Sequence, residues 1–97
     1  FNNLIEEDPN FAEAWNKRAT VYFMMGDFDK SMQDIIKTLE LEPRHFGALD
    51  GMGLIFIHQG QYQQAIDVYD KMLEIFPFSL KTMEKRENIM SFISQST

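Results

Sequence analysis

Apolar residues recur along this chain at intervals of three and four residues, the spacing that places them on one buried face of an α-helix. Four stretches show the pattern, and their inward positions are Ala14, Trp15, Arg18, Ala19, Val21, Tyr22 and Met25; Phe28, Ser31, Met32, Ile35, Ile36, Leu39 and Leu41; Ala48, Leu49, Met52, Gly53, Ile55 and Phe56; and Tyr62, Ala65, Ile66, Tyr69, Met72, Leu73 and Ile75. The sequence therefore predicts four amphipathic helices that pack against one another.

Glycine and proline separate these stretches. Gly26 and Gly60 stand between the two helices of each pair, and Pro43 and Pro77 follow the second helix of each pair, where proline ends helical structure. Each pair is therefore expected to form a helix-turn-helix unit.

A further helix is expected from residue 80 to about residue 94. Its predicted inward positions are Leu80, Met83, Met90 and Ile93. Ser79 is expected to cap it, and Asn10 with Glu13 three residues later resembles a capping box before the first helix.

The two units repeat each other. Pro9, Pro43 and Pro77 lie 34 residues apart. Residues 12–45 placed over residues 46–79 also align Ala14 with Ala48, Gly26 with Gly60, Lys37 with Lys71 and Leu39 with Leu73. A fixed period of this length is typical of stacked supersecondary units.

The repeat resembles the tetratricopeptide repeat, a 34-residue helix-turn-helix unit with small and large residues at set positions. The matching positions are Trp15, Arg18, Ala19, Tyr22, Ser31, Ile35 and Pro43 in the first unit, and Leu49, Met52, Gly53, Phe56, Ala65, Tyr69 and Pro77 in the second. The resemblance implies an all-α fold, a right-handed α-solenoid of about two and a half repeats with a C-terminal capping helix.

The domain organisation implied is one domain over residues 1–97. Residues 1–10 would be the end of a preceding repeat, residues 12–45 and 46–79 two full repeats, and residues 80–97 the capping helix and tail. The chain begins at Phe1 in what is expected to be a helix, so we expect it to be part of a longer protein.

Charge and composition argue against several classes of binding partner and of chemistry. Nine Lys and Arg against fifteen Asp and Glu give a net charge of -6, which opposes binding to nucleic acid or to an anionic membrane surface. The absence of cysteine excludes disulfides, zinc–thiolate sites and thiol catalysis. No apolar run approaches the roughly 18 residues of a membrane span. We therefore expect no nucleic-acid partner and no membrane partner, and the sequence assigns no compartment.

Catalytic and metal-binding patterns are not found. His45 and His58 are expected at opposite ends of one helix, about 20 Å apart at 1.5 Å per residue, too far to share a metal ion. Because the sequence also has no glycine-rich phosphate loop and no nucleophile motif, we expect no enzyme activity, no metal and no cofactor.

The family resemblance implies a ligand groove lined by the first helix of each repeat. The corresponding residues here are Glu13, Asn16, Lys17, Thr20, Phe23 and Met24; Gly47, Asp50, Gly51, Leu54, Ile57 and His58; and Lys81, Glu84, Lys85 and Asn88. Phe23, Leu54 and Ile57 would give it an apolar floor for a peptide. Gly47 and Gly51 each weaken a helix by roughly 1 kcal/mol, so they are either a tolerated weakness or a depression that admits a partner.

One subclass of the family binds acidic chaperone tails through a clamp of basic residues and asparagines. The clamp positions hold Asn16, Thr20, Gly51, Lys81 and Lys85, of which the two lysines alone match. A chaperone-tail function is therefore not expected.

Arg18 stands where the family pattern has leucine. Its stem is expected to pack while its guanidinium pairs with Asp34 or Asp50.

The alternative to a peptide groove is self-association, or docking within a larger protein. Apolar residues occur at both ends of the chain: Phe1, Leu4 and Ile5 at one, and Ile89, Phe92 and Ile93 at the other. They predict a weak homodimer through the terminal helices. A further alternative is that the groove residues contact a neighbouring repeat.

Overall fold

The computed structural model describes residues 2–96, which form six α-helices and no β-strand. The helices are α1 (Asn2–Glu7), α2 (Ala12–Met24), α3 (Phe28–Leu41), α4 (Phe46–His58), α5 (Tyr62–Ile75) and α6 (Leu80–Ser96). Helices α2 with α3 and α4 with α5 form two hairpins that stack along the long axis, with α6 against α5. The all-α, right-handed solenoid predicted from the sequence is confirmed.

Glycine makes the turn inside each hairpin. Gly26 and Gly60 have φ angles of 79° and 74°, in the left-handed region that other residues rarely adopt. Asp27 then caps α3 by accepting a hydrogen bond from the Lys30 backbone N–H at 3.2 Å. The break predicted at Gly26 and Asp27 is therefore confirmed.

Helices α4 and α6 are capped by other residues, whereas α2 and α5 have no side-chain cap. The His45 Nδ1 atom accepts from the Ala48 N–H at 3.0 Å at the start of α4, and Ser79 caps α6 as predicted. The capping box predicted at Asn10 is wrong. Helix α2 starts after Phe11 without a side-chain cap, because the preceding turn is closed by Asp8, whose carboxylate accepts from the Asn10 N–H.

Small residues set the helix spacing within each hairpin. In the first, the Ser31 hydroxyl donates to the Ala19 carbonyl at 2.7 Å, and both residues are buried. In the second, a Cβ atom at Gly53 would lie 2.9 Å from Tyr69 Cε1, closer than real side chains approach. Glycine is therefore required where the Tyr69 ring crosses α4.

Helix α6 is turned differently from the prediction. Leu80, Met83 and Met90 are exposed, whereas Thr82 and Ile89 are buried. Of the four predicted inward positions, Ile93 alone packs against the core. Polar anchors orient the helix: the Ser79 hydroxyl lies 2.9 Å from the Thr82 hydroxyl, Lys85 pairs with Asp50 of α4, and Arg86 pairs with Asp70 of α5. Hydrophobic periodicity alone does not take these anchors into account.

Two other residues predicted to face inward are exposed. Met25 is 70% exposed because it follows the last turn of α2, and Ile36 is 47% exposed because Ile35 beside it takes the inward position of α3.

The N-terminal segment folds onto α2. Ile5 is buried, Leu4 is 45% exposed, and the Asn2 side-chain oxygen accepts a hydrogen bond from Arg18 Nη1 at 2.9 Å. Phe1, which the sequence placed among the exposed apolar residues, lies outside the described residues.

Candidate functional site

Helices α2, α4 and α6 line one side of the solenoid, which we call the groove. Its first depression has a volume of about 220 Å³ and lies between α2 and α4 over α3. Its lining residues are Asn16, Ala19, Thr20, Phe23, Ser31, Ile35, Gly47, Asp50, Gly51 and Leu54. The structure therefore brings together most of the groove residues predicted on the first two repeats.

A second depression adjoins the first. It has a volume of about 350 Å³ and lies between α4, α5 and α6. Its lining residues are Leu54, Ile57, Tyr62, Tyr69, Lys85, Asn88, Ile89 and Phe92. Because Leu54 lines both depressions, they form one continuous surface along α4.

The two groove glycines each have a local packing role. A Cβ atom at Gly51 would lie 3.3 Å from Ile35 Cδ1, and one at Gly47 would lie 3.3 Å from His45 Cε1 and 3.5 Å from Asn16 Nδ2. The two distances of 3.3 Å are tighter than ordinary side-chain contacts, and the distance of 3.5 Å is an ordinary contact. The glycines thus let neighbouring side chains come close, and both line the first depression.

An ion pair crosses the groove. Lys85 Nζ on α6 lies 2.7 Å from Asp50 Oδ1 on α4, and both side chains are about one-third exposed. Asp50 was one of the two carboxylates expected to pair with Arg18, and it is not the partner of Arg18.

Arg18 pairs with Asp34 instead. Its Nε and Nη2 atoms donate to the two Asp34 carboxylate oxygens at 2.7 and 2.9 Å. The hydrogen bond to Asp34 raises the pKa of Arg18, against the smaller opposing effect of burial. The guanidinium also lies 5.2 Å from the Trp15 ring centre and 5.7 Å from that of Tyr22. Arg18 is thus held inside the hairpin and takes no part in the groove.

Some predicted groove residues lie apart from the depressions. Lys17 and Lys81 are exposed and line neither depression. His58 is exposed at the end of α4, with its ring centre 5.4 Å from that of Phe23 and 5.2 Å from that of Phe28.

Four residues of the second depression were not predicted as groove residues: Tyr62, Tyr69, Ile89 and Phe92. The family pattern treats Tyr69 as a packing residue. Its hydroxyl was the signal that could have singled it out, because a side chain that only packs in the core needs no polar atom. Tyr69 is fully buried, and its hydroxyl has no hydrogen-bond partner among residues 2–96.

Among the described residues, no group of three or more His, Cys, Asp or Glu is arranged to hold a metal ion. His45 is engaged at both nitrogens, because Nε2 lies 3.2 Å from Glu13 and Nδ1 accepts from Ala48. Within residues 2–96, no helix combines the length and the apolar character needed to cross a membrane.

A family model for the tetratricopeptide repeat matches residues 12–45 and again residues 46–79. The chain therefore belongs to the tetratricopeptide repeat family, whose helical scaffolds mediate protein–protein interaction.

Curated relatives are considerably longer. The chain is 42% identical over 83 residues to a TPR repeat-containing protein of Rhizobium etli, an alignment covering 86% of this chain and 40% of the relative. It is 27% identical over 90 residues to DnaJ homolog subfamily C member 3 of Bos taurus, covering 93% of this chain and 18% of that protein. The chain thus spans 40% or less of the length of these relatives.

Solved structures share the fold. The first TPR of Spaghetti bound to the HSP90 peptide SRMEEVD superposes with a TM-score of 0.85 at 19% identity, covering 93% of this chain and 71% of that one. The crystal structure of MamA gives a TM-score of 0.69 at 27% identity, covering 87% of this chain and 45% of that one.

Proposed function

We propose that this chain is a non-catalytic interaction module that binds a peptide or protein segment in the groove lined by α2, α4 and α6. The observation that carries the proposal is the pair of adjoining depressions along α4, the first of them lined by Gly47 and Gly51. An open helical groove of this kind receives an extended or helical segment whose side chains enter successive depressions.

The ligand is expected to be mainly apolar where it meets α4. Phe23, Leu54 and Ile57 are half-buried, so each still offers apolar surface to a ligand, at about 25 cal/mol for each Å² that becomes covered. An acidic tail is a poor fit. Of the two lysines at clamp positions, Lys85 already pairs with Asp50, whose own negative charge faces the groove.

The test begins with peptides selected from a random display library against the chain, followed by calorimetric titration of the best binder. Gly51→Arg should reduce its affinity by about tenfold or more, because the side chain projects into the first depression and replaces ligand contacts worth at least ~1.4 kcal/mol.

Two matched variants separate blocking from other effects. Gly51→Ala adds the Cβ beside Ile35 without filling the depression, and Gln64→Arg adds the same charge at an exposed position of α5. Both should keep the wild-type affinity. Normal binding by a folded Gly51→Arg variant would contradict the proposal.

Self-association or docking within a larger protein is the second candidate, because one end of the solenoid exposes large apolar residues. Phe76, Phe78 and Leu80 are 59%, 89% and 73% exposed, and Met83 and Met90 are exposed beside them. Sedimentation velocity should then show a concentration-dependent dimer that Phe78→Lys with Leu80→Lys abolishes. A wild-type chain that remains monomeric at high micromolar concentration rules out the homodimer. Ile89 is unsuitable for this test because it is buried.

A further inference from the structure

Tyr69 is one of the residues that line the second depression. Tyr69 is fully buried among apolar neighbours, yet its hydroxyl has no hydrogen-bond partner among the described residues. Buried tyrosine hydroxyls usually have a partner, since leaving one without a partner is costly. The partner is therefore expected to come from outside the chain.

The surrounding packing accommodates this hydroxyl. It lies 3.1 Å from the position that a Cβ atom at Gly53 would take, so the glycine leaves room for the end of the phenol ring. The equivalent residue of the first repeat is Ile35, which fills the same position without any polar atom. Core packing alone does not call for a hydroxyl here.

The hydroxyl is a hydrogen-bond donor at neutral pH. Burial, with the nearby negative charge of Asp50 as a lesser cause, raises the pKa of Tyr69 to about 12. The same negative charge disfavours an anionic guest beside the hydroxyl. A cationic guest would find no free negative charge, because Asp50 is already paired with Lys85 at the rim of the depression.

The walls favour an aromatic guest. Leu54, Ile57 and Ile89 are apolar, and the Phe92 and Tyr62 ring centres lie 5.0 Å apart at the edge of the depression. A neutral aromatic ring that carries its own oxygen atom can pack against these side chains and also form a hydrogen bond with the Tyr69 hydroxyl.

We propose that the second depression binds a tyrosine side chain of a partner protein, whose phenol oxygen accepts a hydrogen bond from the Tyr69 hydroxyl. The inference rests on the proposed function, because this depression continues the groove. Tyr69 is covered in the free chain, so neighbouring side chains must move to let the guest ring reach its hydroxyl.

The probes are p-cresol and toluene, which reproduce the side chains of tyrosine and phenylalanine. Each is titrated into the 97-residue chain, with binding followed by NMR through the methyl groups of Ile57 and Ile89. The wild-type chain should bind p-cresol at least as tightly as toluene. If the buried phenol found no partner, toluene would bind more tightly by roughly tenfold, because the unsatisfied hydroxyl is costly to desolvate.

Two variants test whether the Tyr69 hydroxyl makes the hydrogen bond to the probe. Tyr69→Phe should shift the ratio of the two affinities toward toluene by about fivefold, the value of one neutral hydrogen bond. Tyr22→Phe makes the same change on α2, outside the second depression, and should leave the ratio unaltered.

The inference is overturned if neither probe shifts the Ile57 and Ile89 methyl groups, or if toluene binds the wild type more tightly. An equal effect of Tyr22→Phe would also overturn it. If it fails while Gly51→Arg still blocks a selected peptide, the proposed groove function stands. If peptide binding is unaffected by Gly51→Arg, that function fails separately.

Discussion

Replacing Arg18 by leucine tests the main polar contact of the first hairpin. Leucine is the residue of the family pattern at this position, so pattern matching alone predicts a gain in stability. The structure predicts a loss. The Asp34 side chain is 5% exposed, and both of its carboxylate oxygens accept hydrogen bonds from Arg18. Arg18→Leu would leave a buried carboxylate without its cation.

The size of the loss follows from the burial of the two partners. Removing one partner of a fully buried ion pair costs about 3 to 5 kcal/mol. Because the Arg18 side chain is 25% exposed, water partly compensates, and we take about 3 kcal/mol. Leucine regains about 1 kcal/mol by burying its own side chain. The net expectation is a loss of about 2 kcal/mol, or a fall in Tm of about 8 to 16 °C for a chain of this size.

Urea unfolding followed by circular dichroism at 222 nm measures the change. The control is the double variant Arg18→Leu with Asp34→Leu, which removes both charges and should recover to within about 1 kcal/mol of the wild type. Hydrogen exchange in α1 should also rise in Arg18→Leu, because the bond from Arg18 to Asn2 is lost. An Arg18→Leu variant as stable as the wild type would refute this reasoning.

Two further predictions concern the second hairpin. Gly60→Val should destabilise the chain by about 1 to 3 kcal/mol, because φ at Gly60 is 74°, and an unchanged thermal melt would mean that the turn is not strained by a side chain. The pKa of Tyr69 is about 12 in the folded chain, against about 10 in an unfolded one. The contribution of protonated Tyr69 to the free energy of unfolding is therefore complete below pH 10. It is lost as the pH rises toward 12, and the loss is about 2 to 3 kcal/mol in all. Tyr69→Phe should therefore lose less stability than the wild type in urea titrations over this range, and parallel losses would contradict the shift.

Local signals explain why so much of the fold was predictable. The turns at Gly26 and Gly60 and the spacing of the small residues Ala19 and Gly53 depend on contacts within one hairpin, and each leaves a mark in the sequence. The pairing of Arg18 with an acidic residue was predictable for the same reason, since Asp34 lies on the adjoining helix of its own repeat.

Features that depend on contacts between repeats were not predictable in the same way. The orientation of α6 is set by Lys85 and Arg86, whose partners lie on two different helices. A periodicity that counts only apolar residues chose Leu80, Met83 and Met90 as the inward face. Part of the second depression was missed, because the family pattern treats Tyr69 as a packing residue and the predicted inward face of α6 left out Ile89.

The most direct test of the central claim is to map a bound peptide on the chain. Backbone amide chemical shifts of the ¹⁵N-labelled chain are recorded with and without a peptide selected as described above. Binding in the groove predicts that the largest changes fall at Gly47, Gly51 and Leu54, which border the depressions. Changes concentrated instead around Phe78 and Leu80, with the amides of α4 unaltered, would contradict the account.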